Sequence, residues 1–423
     1  MSHIQRNHSR SPTMGQTETS SGVFQDQRSI QQLLAELAGK RVILCLGPGG
    51  VGKTTFSAAL AMRLAKAGKR TLVCTLDPAR RLAQALGMNE RHAQPGPVPR
   101  QALSQAGLPR DLPLQAAVLD VAATMDRALA QECRDKSLQQ AIQSNIFYRM
   151  LVEDLEGAQM YAALAQLEDM ADQDQWDHIV VDTPPTVHLH DLLVAPYRIT
   201  HAVHSPFLRW LASSQTWTGR TGLAILALGR ARLLRKAAAV VGGRFLEQLS
   251  QFIGLISDLL PILEQRAERA ERLLKDRDTG YVVITIPNQD RVDETVRLAE
   301  ELRSQDMILA GLVVNRISPF AHQGAIEALR ATLRRAEDGN DRDPGETRPG
   351  CLQRLIAFAQ SMGRSERQAI SQLRARLPAV PLIELPLLPE DLTGLSEVAQ
   401  VTQLLETGPN HEPAGNGSHE AMV

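Results

Sequence analysis

Residues 41–67 constrain this chain more than any other stretch. An apolar run, Arg41-Val42-Ile43-Leu44-Cys45-Leu46, leads into Gly47-Pro48-Gly49-Gly50-Val51-Gly52-Lys53-Thr54-Thr55, and a helical pattern follows from Phe56 to Ala67. The loop fits G-x-x-x-x-G-K-[ST] in the strand–loop–helix context that the motif requires. Glycines let successive backbone N–H groups approach phosphate oxygens with no Cβ in the way, and a helix N-terminus adds the positive end of its dipole. The expectation is a phosphate cradle built from Gly47, Gly49, Gly50, Val51, Gly52 and Thr55. Lys53 would reach the β/γ-phosphates and the Thr54 hydroxyl would ligate Mg2+. The competing reading is a Gly-rich turn with no chemistry. From average residue frequencies a chance match is on the order of one in a hundred, and the flanking strand and helix lower it further.

Such a loop needs a carboxylate at the end of a neighbouring strand to position the metal's water shell. His178-Ile179-Val180-Val181-Asp182 supplies Asp182 directly after an apolar run. A second carboxylate, Asp77, ends the run Thr71 to Leu76 and opens Asp77-Pro78-Ala79-Arg80. Close to a γ-phosphate, it would orient or deprotonate the attacking water. For either Asp the alternative is a helix N-cap.

The remaining pattern is α/β and doubly wound, with a mostly parallel sheet. Arg41–Leu46, Thr71–Leu76, His178–Asp182, Tyr281–Ile286, Leu309–Asn315 and Val380–Leu385 read as strands, several apolar without alternation, as strands buried on both faces should be. Two stretches, about 119–170 and 205–274, read as helical insertions. In the second, Phe245, Leu249, Phe252, Ile253, Ile256, Leu259, Leu260 and Leu263 form one apolar face. That face packs on the core or binds a partner. Length alone suggests roughly three domains, but the motifs favour one ATPase-like unit over 38–405. The polar residues 1–37, the segment 337–350 and residues 406–423 read as unpacked.

Lys+Arg 46 against Asp+Glu 47 leaves a formal net charge of −1, so no global basic field recommends nucleic acid as a partner. Aromatics at 4% disfavour base-stacking platforms. The 4 cysteines, Cys45, Cys74, Cys133 and Cys351, include no pair at CxxC spacing, which argues against a disulfide scaffold or a cysteine zinc site. With no secretory leader and no apolar run of about 18 residues, the expected setting is cytoplasmic.

The Gly-Gly-Val-Gly-Lys-Thr-Thr loop, Asp77-Pro78-Ala79 and Asp182-Thr183-Pro184-Pro185-Thr186 together resemble the ArsA-type ATPases. That family includes the arsenical pump-driving ATPase and the targeting ATPase for tail-anchored membrane proteins, and it falls in the class of MinD and ParA. The likeness extends to Leu119-Asp120, Tyr148–Leu167, Gly311–Arg316 and Pro386–Leu392. It implies an ATPase with ATP and Mg2+, Lys53 and Asp77 as catalytic groups, and Thr54 and Asp182 at the metal. It also implies Asn315 as an adenine contact and, around Pro386, a base-pocket wall. For Asn315 the other reading is an ordinary strand-end turn. A nucleotide-dependent homodimer is implied as well.

There are departures. Pro48 stands where the family's signature Lys reaches the partner's nucleotide, and Asn288 stands where a Glu makes a second such contact. With one P-loop and no CxxC, neither arsenite activation nor a zinc clasp is expected. His188, His190, His201 and His204 read as polar loop residues ahead of metal ligands. The leading function is an ATPase whose nucleotide state controls binding of a protein or membrane-protein client through the helical insertion. The alternative is a MinD/ParA-like organiser acting on membrane or DNA, which the polar C-terminal tail and the missing Lys count against.

Overall fold

A computed structural model of the chain describes residues 27–76, 81–88, 94–118, 121–153, 156–184, 243–256, 259–321, 323–338, 349–388 and 394–407. The first half runs α1 (Gln27–Ala38), β1 (Val42–Leu46), α2 (Lys53–Lys66), β2 (Thr71–Thr75), α3 (Arg81–Ala85), β3 (Gly96–Pro97), α4 (Arg100–Gln105) and β4 (Leu114–Val118). Four helices follow, α5 (Val121–Glu132), α6 (Lys136–Ser144), α7 (Ile146–Glu153) and α8 (Glu156–Asp172), and then β5 (His178–Asp182). The second half holds α9 (Gly243–Ile256), α10 (Leu260–Leu274), β6 (Thr279–Thr285), α11 (Gln289–Ser304), β7 (Leu309–Ile317), α12 (Gln323–Asp338), α13 (Pro349–Arg376), β8 (Leu382–Pro386) and α14 (Leu395–Thr407).

The strands make one 8-stranded sheet in the order β3-β4-β2-β5-β1-β6-β7-β8. All neighbours are parallel except β3 and β4. From β1 the sheet grows one way through β5, β2 and β4 and the other way through β6, β7 and β8. The winding therefore reverses beside β1, where the carboxyl ends of the strands open the crevice that ligands use in such folds. Along β1, Val42, Leu44 and Leu46 enter a core layer with α8, α10, α11 and α13, while Ile43 and Cys45 enter the opposite layer with α1, α2 and α14. Burial on both faces explains why these strands read as continuous apolar runs.

The structure corrects the reading at the N-terminus. Residues 27–37, assigned by composition to an unpacked tail, belong to α1, and Leu33 and Leu37 are fully buried. Ile30, Leu33 and Leu37 recur on one face of a helix, a period that the surrounding glutamines hide in an average. Gly311 on β7 makes room for this helix: a Cβ there would lie 2.5 Å from Leu33 Cδ1. At the other two segments read as unpacked, α12 continues to Asp338, α13 begins at Pro349 and α14 continues to Thr407. Residues 339–348 and 408–423 lie outside the described residues.

Strands β3 and β4 were not expected. Leu114-Gln-Ala-Ala-Val118 contains one β-branched residue, so its propensity is weak, and pairing along β2 decides its conformation. Pro97 of β3 sits at the sheet edge, where a missing N–H is tolerated. The first insertion is helical as read. Of the second, residues 205–242 lie outside the described residues, while α9 and α10 are helices. Leu129, Cys133, Ile142, Tyr148 and Phe252 form a small core of their own among α5, α6, α7 and α9. Phe147 stacks on Phe252 with ring centroids 6.0 Å apart. Phe252 and Ile253 are buried, so this part of the apolar face is used inside the protein. No helix among the described residues is long and apolar enough to cross a membrane.

Candidate nucleotide-binding site

Strand β1 delivers the glycine-rich loop to the centre of the sheet, and α2 begins at Lys53. Gly52 caps α2 in the left-handed region at φ 92°, and an added Cβ would collide with Asn315 Nδ2; a Cβ on Gly47 would collide with the Ile284 carbonyl oxygen. Both positions accept only glycine, because β6 and β7 press against the loop there and the backbone is left-handed at Gly52. Lys53 lies within it, 6% exposed, its Nζ donating to the carbonyl oxygens of Gly47 and Pro48 at 2.8 Å each. This buried ammonium, donating to two carbonyl oxygens, sits where phosphate oxygens would offer it a stronger, charge-assisted partner.

Below the loop, Asp182 ends β5 in register with Cys45 of β1 and Thr75 of β2. Its carboxylate is 1% exposed. Asp182 Oδ2 accepts from the Thr54 hydroxyl at 2.7 Å and from the Thr75 hydroxyl at 3.2 Å. The structure thus joins the two residues expected at the metal, which stand 128 positions apart in the chain. Hard oxygen donors, one hydroxyl and one carboxylate beside a phosphate cradle, match the preference of Mg2+. Thr183 anchors the strand end, its hydroxyl donating to the Cys45 carbonyl at 2.7 Å. Sequence reasoning missed Thr75 and Thr183. The available signal was a hydroxyl residue at the end of an otherwise apolar strand, where burial demands a partner.

Asn315 enters from β7. Its Nδ2 donates to the Val51 carbonyl at 2.8 Å, and its Oδ1 accepts from the Arg316 backbone N–H at 2.9 Å. Pro386 closes β8 in register with Ile317, two residues beyond Asn315 on the neighbouring strand. Asn288 caps α11, its Oδ1 accepting from the Asp290 N–H at 2.9 Å. Asp77, His188, His190, His201 and His204 lie outside the described residues.

Burial first, and the nearby Asp182 charge with it, push the thiols of Cys45 and Cys74 up to about 12. At neutral pH they are packing residues without thiolate character. Among the described residues no group of three or more His, Cys, Asp or Glu is placed to hold a metal ion.

A mostly parallel sheet with this loop at its reversal point and a Thr–Asp pair beneath defines the P-loop nucleoside-triphosphatase fold. Comparison with known proteins narrows the class. A family model described as anion-transporting ATPase matches residues 40–210. ATPase ARSA1 of Chlamydomonas reinhardtii is 26% identical over 330 residues, covering 72% of this chain and 38% of that protein. ATPase ASNA1 homolog 1 of Paramecium tetraurelia is 25% identical, covering 64% of this chain and 73% of its own length. ATPase GET3C of Arabidopsis thaliana is 26% identical, covering 70% and 71%. The chain is similar to the ArsA-type ATPases, over residues 40–210 for the family model and at about a quarter identity to these relatives. It spans well under half of the Chlamydomonas relative and over two thirds of the other two.

Proposed function

We propose that the protein binds and hydrolyses ATP, and that its nucleotide state controls binding of a protein or membrane-protein client through the helical insertion. The observation that carries the first half is the Thr54–Asp182 bond beside the buried Lys53. In this reading the loop amides and Lys53 hold the β- and γ-phosphates, and α2 turns its N-terminus toward them. Thr54 and Asp182 would hold Mg2+, which supplies charge neutralisation on the phosphate oxygens. Asp77, two residues beyond Thr75, is assigned the water-orienting role. Thr75 and Thr183 fix the carboxylate and the strand end, so that Asp182 needs little rearrangement.

The second half draws support from position. Helix α8 runs directly into β5 and its Asp182, and α10 leads into β6, which flanks β1. A change of one turn at either strand end would therefore be felt in the insertion. A homodimer that brings two such sites together is part of the reading, as is a cytoplasmic setting. The test is hydrolysis of ATP with Mg2+ together with affinity capture by an Asp77→Asn variant in ATP and in ADP. We expect Mg2+-dependent phosphate release by the wild type and partners retained by the variant in ATP only. Partners identical in both nucleotides would remove the client-control half, and no phosphate release would remove the first.

A further inference from the structure

We propose that Asn315 is a positioning residue for the phosphate loop: it sets the Val51–Gly52 peptide and so couples the base side of the site to the phosphate side. The proposal rests on the nucleotide-binding reading above. A primary amide offers two N–H donors and two acceptor lone pairs. Here one donor goes to the Val51 carbonyl and one lone pair to the Arg316 N–H. The two partners differ in kind, one acceptor and one donor, so the amide cannot flip without losing both bonds. Among the described residues this leaves one donor and one acceptor of the amide, the two kinds of group that an adenine N6–N7 edge takes.

The contact reaches the part of the loop that matters most. The Val51 C=O and the Gly52 N–H belong to one planar trans peptide and point in opposite directions. Holding the carbonyl toward Asn315 therefore turns the Gly52 N–H the other way and fixes one of the amides that the loop presents. Val51 is 1% exposed, and Gly52 immediately precedes Lys53 and Thr54. Asn315 Nδ2 also occupies the space a Gly52 side chain would take, so loop and amide fit only each other.

Asn315 is itself braced. The pairing of β7 with β8 shifts register between Val314 and Ile317, and Arg316 adopts φ 61°, which lifts Asn315 out of the ladder. Beyond it, Glu366 of α13 accepts from the Ser318 N–H at 3.1 Å and from the Ser318 hydroxyl at 2.7 Å. Arg367 donates to the Ala321 carbonyl from the same helix. The segment that follows Asn315 is thus tied to the long helix α13.

The test compares wild type, Asn315→Ala and Asn315→Asp in binding of inorganic tripolyphosphate with Mg2+, a probe with no base, and in kcat and KM for ATP. Asn315→Asp keeps an acceptor for the Arg316 N–H and sets a second acceptor against the Val51 carbonyl. Both variants are expected to lose about tenfold in tripolyphosphate affinity, the cost of one broken anchor. Both should also lower kcat at saturating ATP. A residue that touches only the base would raise KM and leave tripolyphosphate affinity and kcat within twofold of wild type; that result overturns the proposal. Should tripolyphosphate bind the wild type too weakly to measure, kcat decides alone. Wild type that binds neither ATP nor tripolyphosphate overturns the nucleotide reading, and the proposal falls with it. A wild type that binds beside variants that are unchanged overturns the proposal only.

Discussion

Glu366 shows how a single side chain carries a testable charge. Burial raises its carboxyl above the ordinary glutamate range, outweighing the two bonds from Ser318 and the charge of Arg367, all of which pull it down. The folded state therefore holds the Glu366 proton more tightly than the unfolded chain does. Its contribution to stability is full below the unfolded value and is lost as pH rises through the folded one. Glu366→Gln keeps an oxygen to accept both Ser318 bonds and removes the charge. Thermal melts should show the variant at least as stable as wild type at pH 7, with a flatter decline above the glutamate range. A variant less stable at every pH would contradict this origin of the shift. The same scale shows what a sequence reveals. Lys53, Thr54 and Asp182 were legible because their chemistry fixes their spacing to a loop and a strand end. The bonds of Thr75 to Asp182 and of Asn315 to Val51 were not, since each depends on strand order that no local pattern encodes.

Helix α1 and strand β4 show where local pattern fails at the level of elements. The period of Ile30, Leu33 and Leu37 was present but diluted by polar neighbours, whereas β4 lacks a strong signal and takes its conformation from β2. The other strands were legible because two-sided burial leaves continuous apolar runs. If α1 is part of the core, Leu33→Ala should cost about 2–5 kcal/mol in urea unfolding. A loss of about 0.5 kcal/mol or less would mark a surface position. Gly311→Ala, by crowding Leu33, should cost about 1–3 kcal/mol. The two sites touch, so the double variant should be destabilised by less than the two losses combined. Strict additivity would refute the contact.

On the scale of the whole molecule, the sheet, its two helical layers and the small core of the insertion form a frame whose reversal point carries the candidate site. Pro48 bears on how two such molecules would cooperate. If the dimer reading holds, Pro48→Lys supplies a cation to the partner's phosphates. Turnover should then rise by about tenfold or more, given what such charges contribute elsewhere. Unchanged turnover would mean the two sites do not share charge. The central claim, that the loop around Lys53 binds ATP, needs only one chain. Calorimetric titration of ATP with Mg2+ into wild type and Lys53→Ala tests it most directly. A saturable wild-type isotherm, weakened about tenfold or more in the variant, is the predicted result. Equal affinity in the two proteins, or no binding to the wild type, would contradict it.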